Sequence, residues 1–396
     1  MTQALALPTH HARWWILALL FVCRTGLGLQ FQTLGSVSDP LVSALGFSYV
    51  EIGTLIGLFM LPGLVLALPA GYMGRYLSDR VLVGLALSCL AAGGVIASMA
   101  QGFGLLALGR IAAGAGFVIS TIYLTKMTAD WFAGNQLATA MGILVMSWPL
   151  GVAIGQIGHV WLAVHFDWRA AFLAASLYCA LSGLALFLLY RPPAALKPAP
   201  AGPMGLPRHE LVLTLLAATV WGLFNAGYIV YLSFAPRVLE AGGYGPTQAA
   251  AVISLASWVM ILSGPIGGRL ADRSGRGPLI LYVCMAGAIV SLLLLLQHSG
   301  MAVALSLAFG LFGGAPAGVI MALTGEAMAP QRRAFGMGLF FSLYFVLMTV
   351  GPPIAGWMFD LTGDPFAPIL FAIGLFGLAT LAYRLFWVLK RRVAVA

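Results

Sequence analysis

Residues 71–80, GYMGRYLSDR, and residues 264–273, GPIGGRLADR, carry Gly, Gly, Asp and Arg at the same four places, 193 positions apart. Each follows a continuous apolar run, 50–70 and 247–267. A glycine-bearing polar decapeptide that recurs at the end of two such runs marks a duplicated chain. The echo continues further on, where FDWRAAF (166–172) opens one apolar run as GDPFAPILF (363–371) opens another.

Working outward, the runs multiply. Of 396 residues, 61% are hydrophobic and 8% charged, and the mean hydropathy is +0.99, which places the chain in the membrane. A helix needs about 20 residues to cross a ~30 Å hydrocarbon layer. Twelve runs reach that length, near 14–36, 50–70, 81–100, 104–127, 136–162, 169–190, 210–235, 247–267, 278–297, 301–325, 335–358 and 366–389. They are continuously apolar, whereas barrel strands alternate. The first is too long for a cleaved leader and is expected to remain as a span.

Between the sixth and seventh runs, RPPAALKPAPAGPMGLPRH (191–209) holds six prolines and reads as a linker. The expected organisation is an N-terminal six-helix bundle (1–190), the linker, and a C-terminal six-helix bundle (210–396). Sixteen of the 20 Lys and Arg residues fall on the side of the termini and linker, against Arg169 and Arg237 on the other, with Arg24 and Arg110 inside spans. By the positive-inside rule both termini are expected in the cytoplasm and the protein in the plasma (inner) membrane. The net charge of +9 therefore reports topology and not nucleic-acid binding. Cys23, Cys89, Cys179 and Cys284 lie inside spans without CxxC spacing and read as reduced packing residues. No phosphate loop, HExxH or Cys/His cluster occurs, so no metal, nucleotide or other cofactor is expected.

Here the chain resembles the major facilitator superfamily over essentially its whole length. GGRLADRSGRGP (267–278) is similar to that superfamily's signature loop between helices eight and nine, and GRIAAGAG (109–116) to its helix-four pattern. Glu326 and Arg333, in EAMAPQRR, resemble the acid and base that flank the loop after helix ten. The resemblance implies an all-α fold of twelve transmembrane helices in two pseudo-symmetric bundles. The first-half loop departs from the pattern, since VLVGL follows its DR. The gating set is Gly71, Gly74, Asp79 and Arg80, with Gly267, Asp272, Arg273, Arg276, Glu326 and Arg333. Its glycines would let a helix of the other half approach. Its aspartates would accept from a neighbouring helix N-terminus or pair with arginines. The alternative is that these loops only set topology.

The resemblance also implies that helices one, four, seven and ten line a central cavity. Their polar residues give a candidate substrate site of Arg24, Gln32, Arg110, Tyr123, Asn225, Tyr228 and Tyr231. All eleven carboxylates fall near one face or the other, so none is left for Arg24 or Arg110 in the middle. A buried guanidinium without a counter-ion is costly, and a substrate anion is a natural partner. Arg24 thus reads as an anion ligand, the alternative being bonds to helix carbonyls or glutamines. Arg110 reads as a structural or coupling residue as well as a ligand. Tyr228, Tyr231 and Asn225 cannot all share one face.

The expected function is secondary transport of a small organic or carboxylate-like anion by alternating access, by a monomer, with a proton or exchanged anion as partner. The resemblance leans to the cyanate-permease and organic-anion branches. A drug/proton antiporter and a non-transporting sensor or assembly partner are the alternatives, the former weakened by the lack of a membrane-embedded acid.

Overall fold

The computed structural model describes residues 10–74, 76–132, 137–193, 205–329 and 332–395. Among them there is no strand, and twelve helices are long and apolar enough to cross a membrane. The first six are Ala12–Ser36, Tyr49–Ala67, Asp79–Ser98, Phe103–Trp131, Ala140–His165 and Trp168–Leu189. The second six are Arg208–Ala241, Pro246–Ala271, Gly277–Gln297, Ser299–Ala327, Phe335–Thr362 and Phe366–Arg392. In lipid a spanning backbone must satisfy its own N–H and C=O groups, which is why runs rich in β-branched residues and glycine are helical here. An even number of spans puts both termini at one end, the terminal face; the other end is the distal face.

Three details depart from the expected spans. A short helix, Ser38–Leu45, lies between the first and second. The second span is interrupted at Phe59–Met60 and the tenth at Ala315–Pro316. Pro62 and Pro316 have no N–H to give the carbonyl four residues back, so each loosens the preceding turn. Of the linker, residues 194–204 lie outside the described residues.

The helix pairings repeat between the halves. The first span packs on the fifth and sixth as the seventh packs on the eleventh and twelfth, and the third on the fourth and sixth as the ninth on the tenth and twelfth. Between the halves, the second span meets the eleventh and the fifth meets the eighth. These two contacts exchange when the halves are exchanged, as pseudo-twofold symmetry requires.

Small residues set the closest approaches, since in lipid helices gain most from dispersion contact between backbones. The first and fifth spans cross at Gly28 and Gly151, where a Cβ on Gly28 would lie 2.9 Å from the Val152 amide nitrogen and 3.0 Å from the Gly151 Cα. Across the halves, Gly53 and Gly57 lie on the backbone of Pro352 and Thr349, and Gly356 on that of Tyr49.

The glycines expected to admit the other half do not do so here. A Cβ on Gly74 would lie 3.0 Å from the Tyr123 hydroxyl, and one on Gly264 3.6 Å from the Gly314 carbonyl. Gly267 lies against the Ala315 backbone. All three neighbours belong to the same half, because the halves meet along the second/eleventh and fifth/eighth pairs and not at these loops. Gly71 is helical but its surroundings, like the side chains of Asp272 and Arg333, lie outside the described residues.

Gly28→Ala and Gly151→Ala should each destabilise the fold by about 1–3 kcal/mol, the usual range for overpacking. Gly142, with nothing within 4 Å of an added Cβ, is the control: Gly142→Ala should leave the thermal midpoint in detergent unchanged while the other two lower it.

Candidate functional site

Three arginines inside the bundle define the site by what each one reaches. Arg110, in the fourth span, is 1% exposed. Its Nε donates to the Leu55 carbonyl (3.2 Å), Nη1 to that of Gln30 (3.0 Å) and Nη2 to that of Phe31 (3.3 Å). The guanidinium lies 4.4 Å from the Phe59 ring centroid. It ties the first, second and fourth spans together, and in this conformation turns no free edge toward a ligand.

Arg237, near the distal end of the seventh span, is 7% exposed and bridges the halves. Nε and Nη2 donate to Asp39 Oδ1 at 2.9 and 2.6 Å, Nη2 also donates to Ser38 Oγ (2.7 Å), and Nη1 to the Ser233 carbonyl (3.0 Å). The Tyr49 hydroxyl donates to the same Asp39 oxygen at 2.9 Å, and its ring lies 4.3 Å from the Arg237 guanidinium. From the eleventh span, Asp360 accepts from the Tyr49 and Val50 amides at 2.8 and 2.6 Å. It caps the N-terminus of a helix in the other half, where backbone N–H groups lack intrahelical acceptors. These bonds join the halves at the distal face. Asp39, Tyr49, Arg237 and Asp360 were absent from the sequence-derived site. Only Arg237 left a signal: it is one of two basic residues assigned to its face, with carboxylates available there.

Arg24 is different. It is half-buried near the middle of the first span, and Nη1 donates to the Leu144 carbonyl at 2.9 Å. Its Nε is buried without an acceptor. No carboxylate forms an ion pair with it among the described residues. The eleventh span brings Tyr344 within electrostatic reach of it, and one turn beyond Leu144 the fifth span carries Trp148, whose Nε1 is also buried without an acceptor and whose ring meets Phe31. Trp148 meets Tyr228 of the other half with ring centroids 6.5 Å apart, and Trp221 meets Tyr344 at 6.4 Å. Two unused donors and an aromatic wall shared by both halves fit a ligand that accepts at one end and is apolar at the other.

The remaining candidates scatter. Gln32 donates to Gln156 and to Ser36 Oγ (3.3 Å), toward the distal face. Tyr123 donates to the Ala70 carbonyl at 2.7 Å, at the terminal end of its span. Asn225 bonds the Trp221 carbonyl one turn back (2.8 Å). Tyr228 pairs with Ser257 at 2.6 Å, and Tyr231 is packed against Phe309 with bonds to the Ile253 carbonyl and Ser306. Of the gating set, Asp79 pairs with Lys126 at 2.5 Å and not with an arginine, because the fourth span carries that lysine past it, next to Asp130 (3.0 Å). Arg80 lies 4.2 Å from the Phe187 ring centroid, Arg273 and Arg276 are exposed, and Glu326 pairs with Lys390 of the twelfth span.

A paired twelve-helix bundle with a polar layer between its halves is the architecture of a secondary carrier. A model of the Major Facilitator Superfamily matches residues 19–245 and 211–395, and the chain belongs to that superfamily, whose members are transporters and not enzymes. Uncharacterized MFS-type transporter YbcL of Bacillus subtilis (strain 168) is 24% identical over 355 residues, 86% of this chain and 88% of its own. The hexuronate transporter of the same organism is 25% identical over 351 residues, 78% of this chain and 80% of its own. Monocarboxylate transporter 13 of Bos taurus is 27% identical over 264 residues, 63% and 60% of the two chains. Among solved structures, a bacterial homolog of the human lysosomal transporter Spinster has the same fold, with a TM-score of 0.77 at 16% identity over 97% of this chain and 98% of that one. The nucleoside transporter NupG matches with a TM-score of 0.77 at 14% identity over 95% and 99%.

The contrast between the two mid-bundle arginines is open to measurement. Arg110→Ala removes three charged hydrogen bonds that join three spans and should cost about 3 kcal/mol or more, read as a lowered thermal midpoint. Arg24→Ala removes a single carbonyl contact and should leave the midpoint near that of the unsubstituted protein.

Proposed function

We propose that the protein carries a small organic anion by alternating access, with Arg24 as the ligand for its negative group. The observation that carries this reading is the Arg24 guanidinium: half-buried in mid-bundle, without a carboxylate partner among the described residues, and with its Nε unmet. Charge-assisted, two-pronged contact to a carboxylate is what a guanidinium does best. Trp148, Trp221, Tyr228 and Tyr344 supply the apolar wall for the rest of the molecule. The names of two relatives, a hexuronate and a monocarboxylate transporter, agree with such a substrate.

In this reading the structure is the conformation shut at the distal face, and the Arg237–Asp39 and Asp360–Tyr49 contacts are its closing bonds. Residues 1–190 and 210–396 rock against one another, joined by the 191–209 linker. The loops at 71–80 and 267–276, with Glu326 and Arg333, act when the terminal face closes in turn. The terminal face is cytoplasmic in the plasma membrane, from the split of basic residues, and the carrier works as a monomer. Cysteines introduced at Pro192 and Asp364 in a cysteine-free background should then label from opposite sides of the membrane.

A panel of small carboxylates and inorganic anions, screened by thermal shift on purified protein and followed by proteoliposome uptake, tests the substrate class. For the anion that stabilises the protein, Arg24→Ala should abolish detectable binding, as expected when a desolvated charged contact of about 2–5 kcal/mol is lost. Arg24→Lys should recover part of it, since an ammonium keeps the charge without the planar fork. Unchanged affinity in Arg24→Ala would make Arg24 a structural cation.

A further inference from the structure

A cavity of about 120 Å³ lies at the distal end between the halves, lined by Ser36, Asp39 and Gln156 from one and Ser233, Arg237 and Glu240 from the other. It holds two carboxylates and one guanidinium. The guanidinium is committed: its donors go to Asp39, Ser38 and the Ser233 carbonyl. Glu240 is half-buried three residues further along the same helix, and its side-chain carboxylate has no hydrogen bond or ion pair among the described residues. The charged groups within electrostatic reach of it are Asp39, which repels its anion, and Arg237, already shared. The fifth span faces the cavity with Gln156 and apolar residues, its His159 packing instead beside Gly155 and Gln32. The eighth span adds only Pro246 and Ala250. Gln156 itself is fully buried, with an Nε2 that meets no acceptor.

From this geometry we infer that Glu240 is a proton-binding site whose occupancy holds the distal face shut. With Asp39 holding the guanidinium, an ionised Glu240 would be a second, uncompensated anion in a confined space; a proton removes that charge. When the halves part, Asp39 leaves with its own half while Arg237 and Glu240 stay on one helix. Their spacing of three residues puts them on one face, so Arg237 exchanges Asp39 for Glu240, and Glu240 gives its proton to the water of the opened mouth. Closing takes the proton back: one O–H bond forms on Glu240 and no other bond changes. By linkage, protonation favours closure by the same factor that closure favours protonation. Acid on the distal side therefore stabilises the closed mouth, and alkali releases it.

The inference rests on the alternating-access reading of the closing bonds, and its test needs no substrate. Ala44 and Gln248, exposed on opposite halves at the distal face, are replaced by cysteine in a chain whose four native cysteines are removed. Spin labels on them report the width of the mouth from about pH 5 to about pH 9, and the ratio of open to closed molecules should rise with pH by up to about tenfold per unit, the limit for one proton. Glu240→Gln, a permanent neutral mimic, should keep the mouth narrow at every pH, and Glu240→Asp should retain a pH profile. The same profile in Glu240→Gln overturns the inference. So does a width that changes at fixed pH when sodium is replaced by choline, since the cavity would then hold a metal cation. Asp39→Asn separates the two readings. If it widens the mouth while pH does not, the proton site alone fails; if neither widens it, the closing bonds fail as well.

Discussion

Hydrocarbon offers a guanidinium no acceptor, and three arginines lie inside this bundle. Each must be met from within the protein or by something the protein admits. Arg110 is met by backbone carbonyls, and in being met it fixes where three spans cross. Arg237 is met by a carboxylate of the opposite half, so its bond exists only while the halves are together. Arg24 is met by one carbonyl and otherwise left open. The same demand is answered three times, giving in turn a frame, a bond between the halves and the proposed site.

Around these charges the packing is built from backbone contact. Where Gly28 faces Gly151, and where Gly53 and Gly57 lie on the eleventh span, no side chain holds the helices apart. The contacts inside a half and the contacts between halves are of one kind, but among the described residues the ion pair and the helix cap that join the halves lie at the distal end. In the proposed cycle that placement would let the interface part at the distal face without disturbing Arg110 or the glycine crossings within either half.

Much of this architecture was legible in the sequence. Twelve apolar runs and the repeated decapeptides carry the fold, because lipid leaves a chain so few choices. The interruptions at Phe59–Met60 and Ala315–Pro316 were hidden, since a proline in a span can kink, loosen or pass unnoticed depending on its neighbours. The site was less legible. A charge in a span can be recognised alone, so Arg24 and Arg110 stood out, but what each touches depends on rotations that the sequence does not state. Tyr123 and Tyr231 lie on lining helices yet turn into helix contacts. Asp39 and Asp360 looked like surface acids, and their partners lie 198 and 310–311 positions away in the chain.

The cap that Asp360 places on the second span has one further consequence. The Tyr49 and Val50 amides open a helix and have no carbonyl of their own to reach; in the shut conformation both donate to a side chain of the other half. Ser48 and Glu51 close the rest of that turn from within. Parting the halves would therefore bare two particular amide protons to water and leave their helical neighbours protected. In the proposed cycle their hydrogen–deuterium exchange would be a stopwatch built into the backbone, running while the mouth is open and readable without a label, a ligand or a mutation.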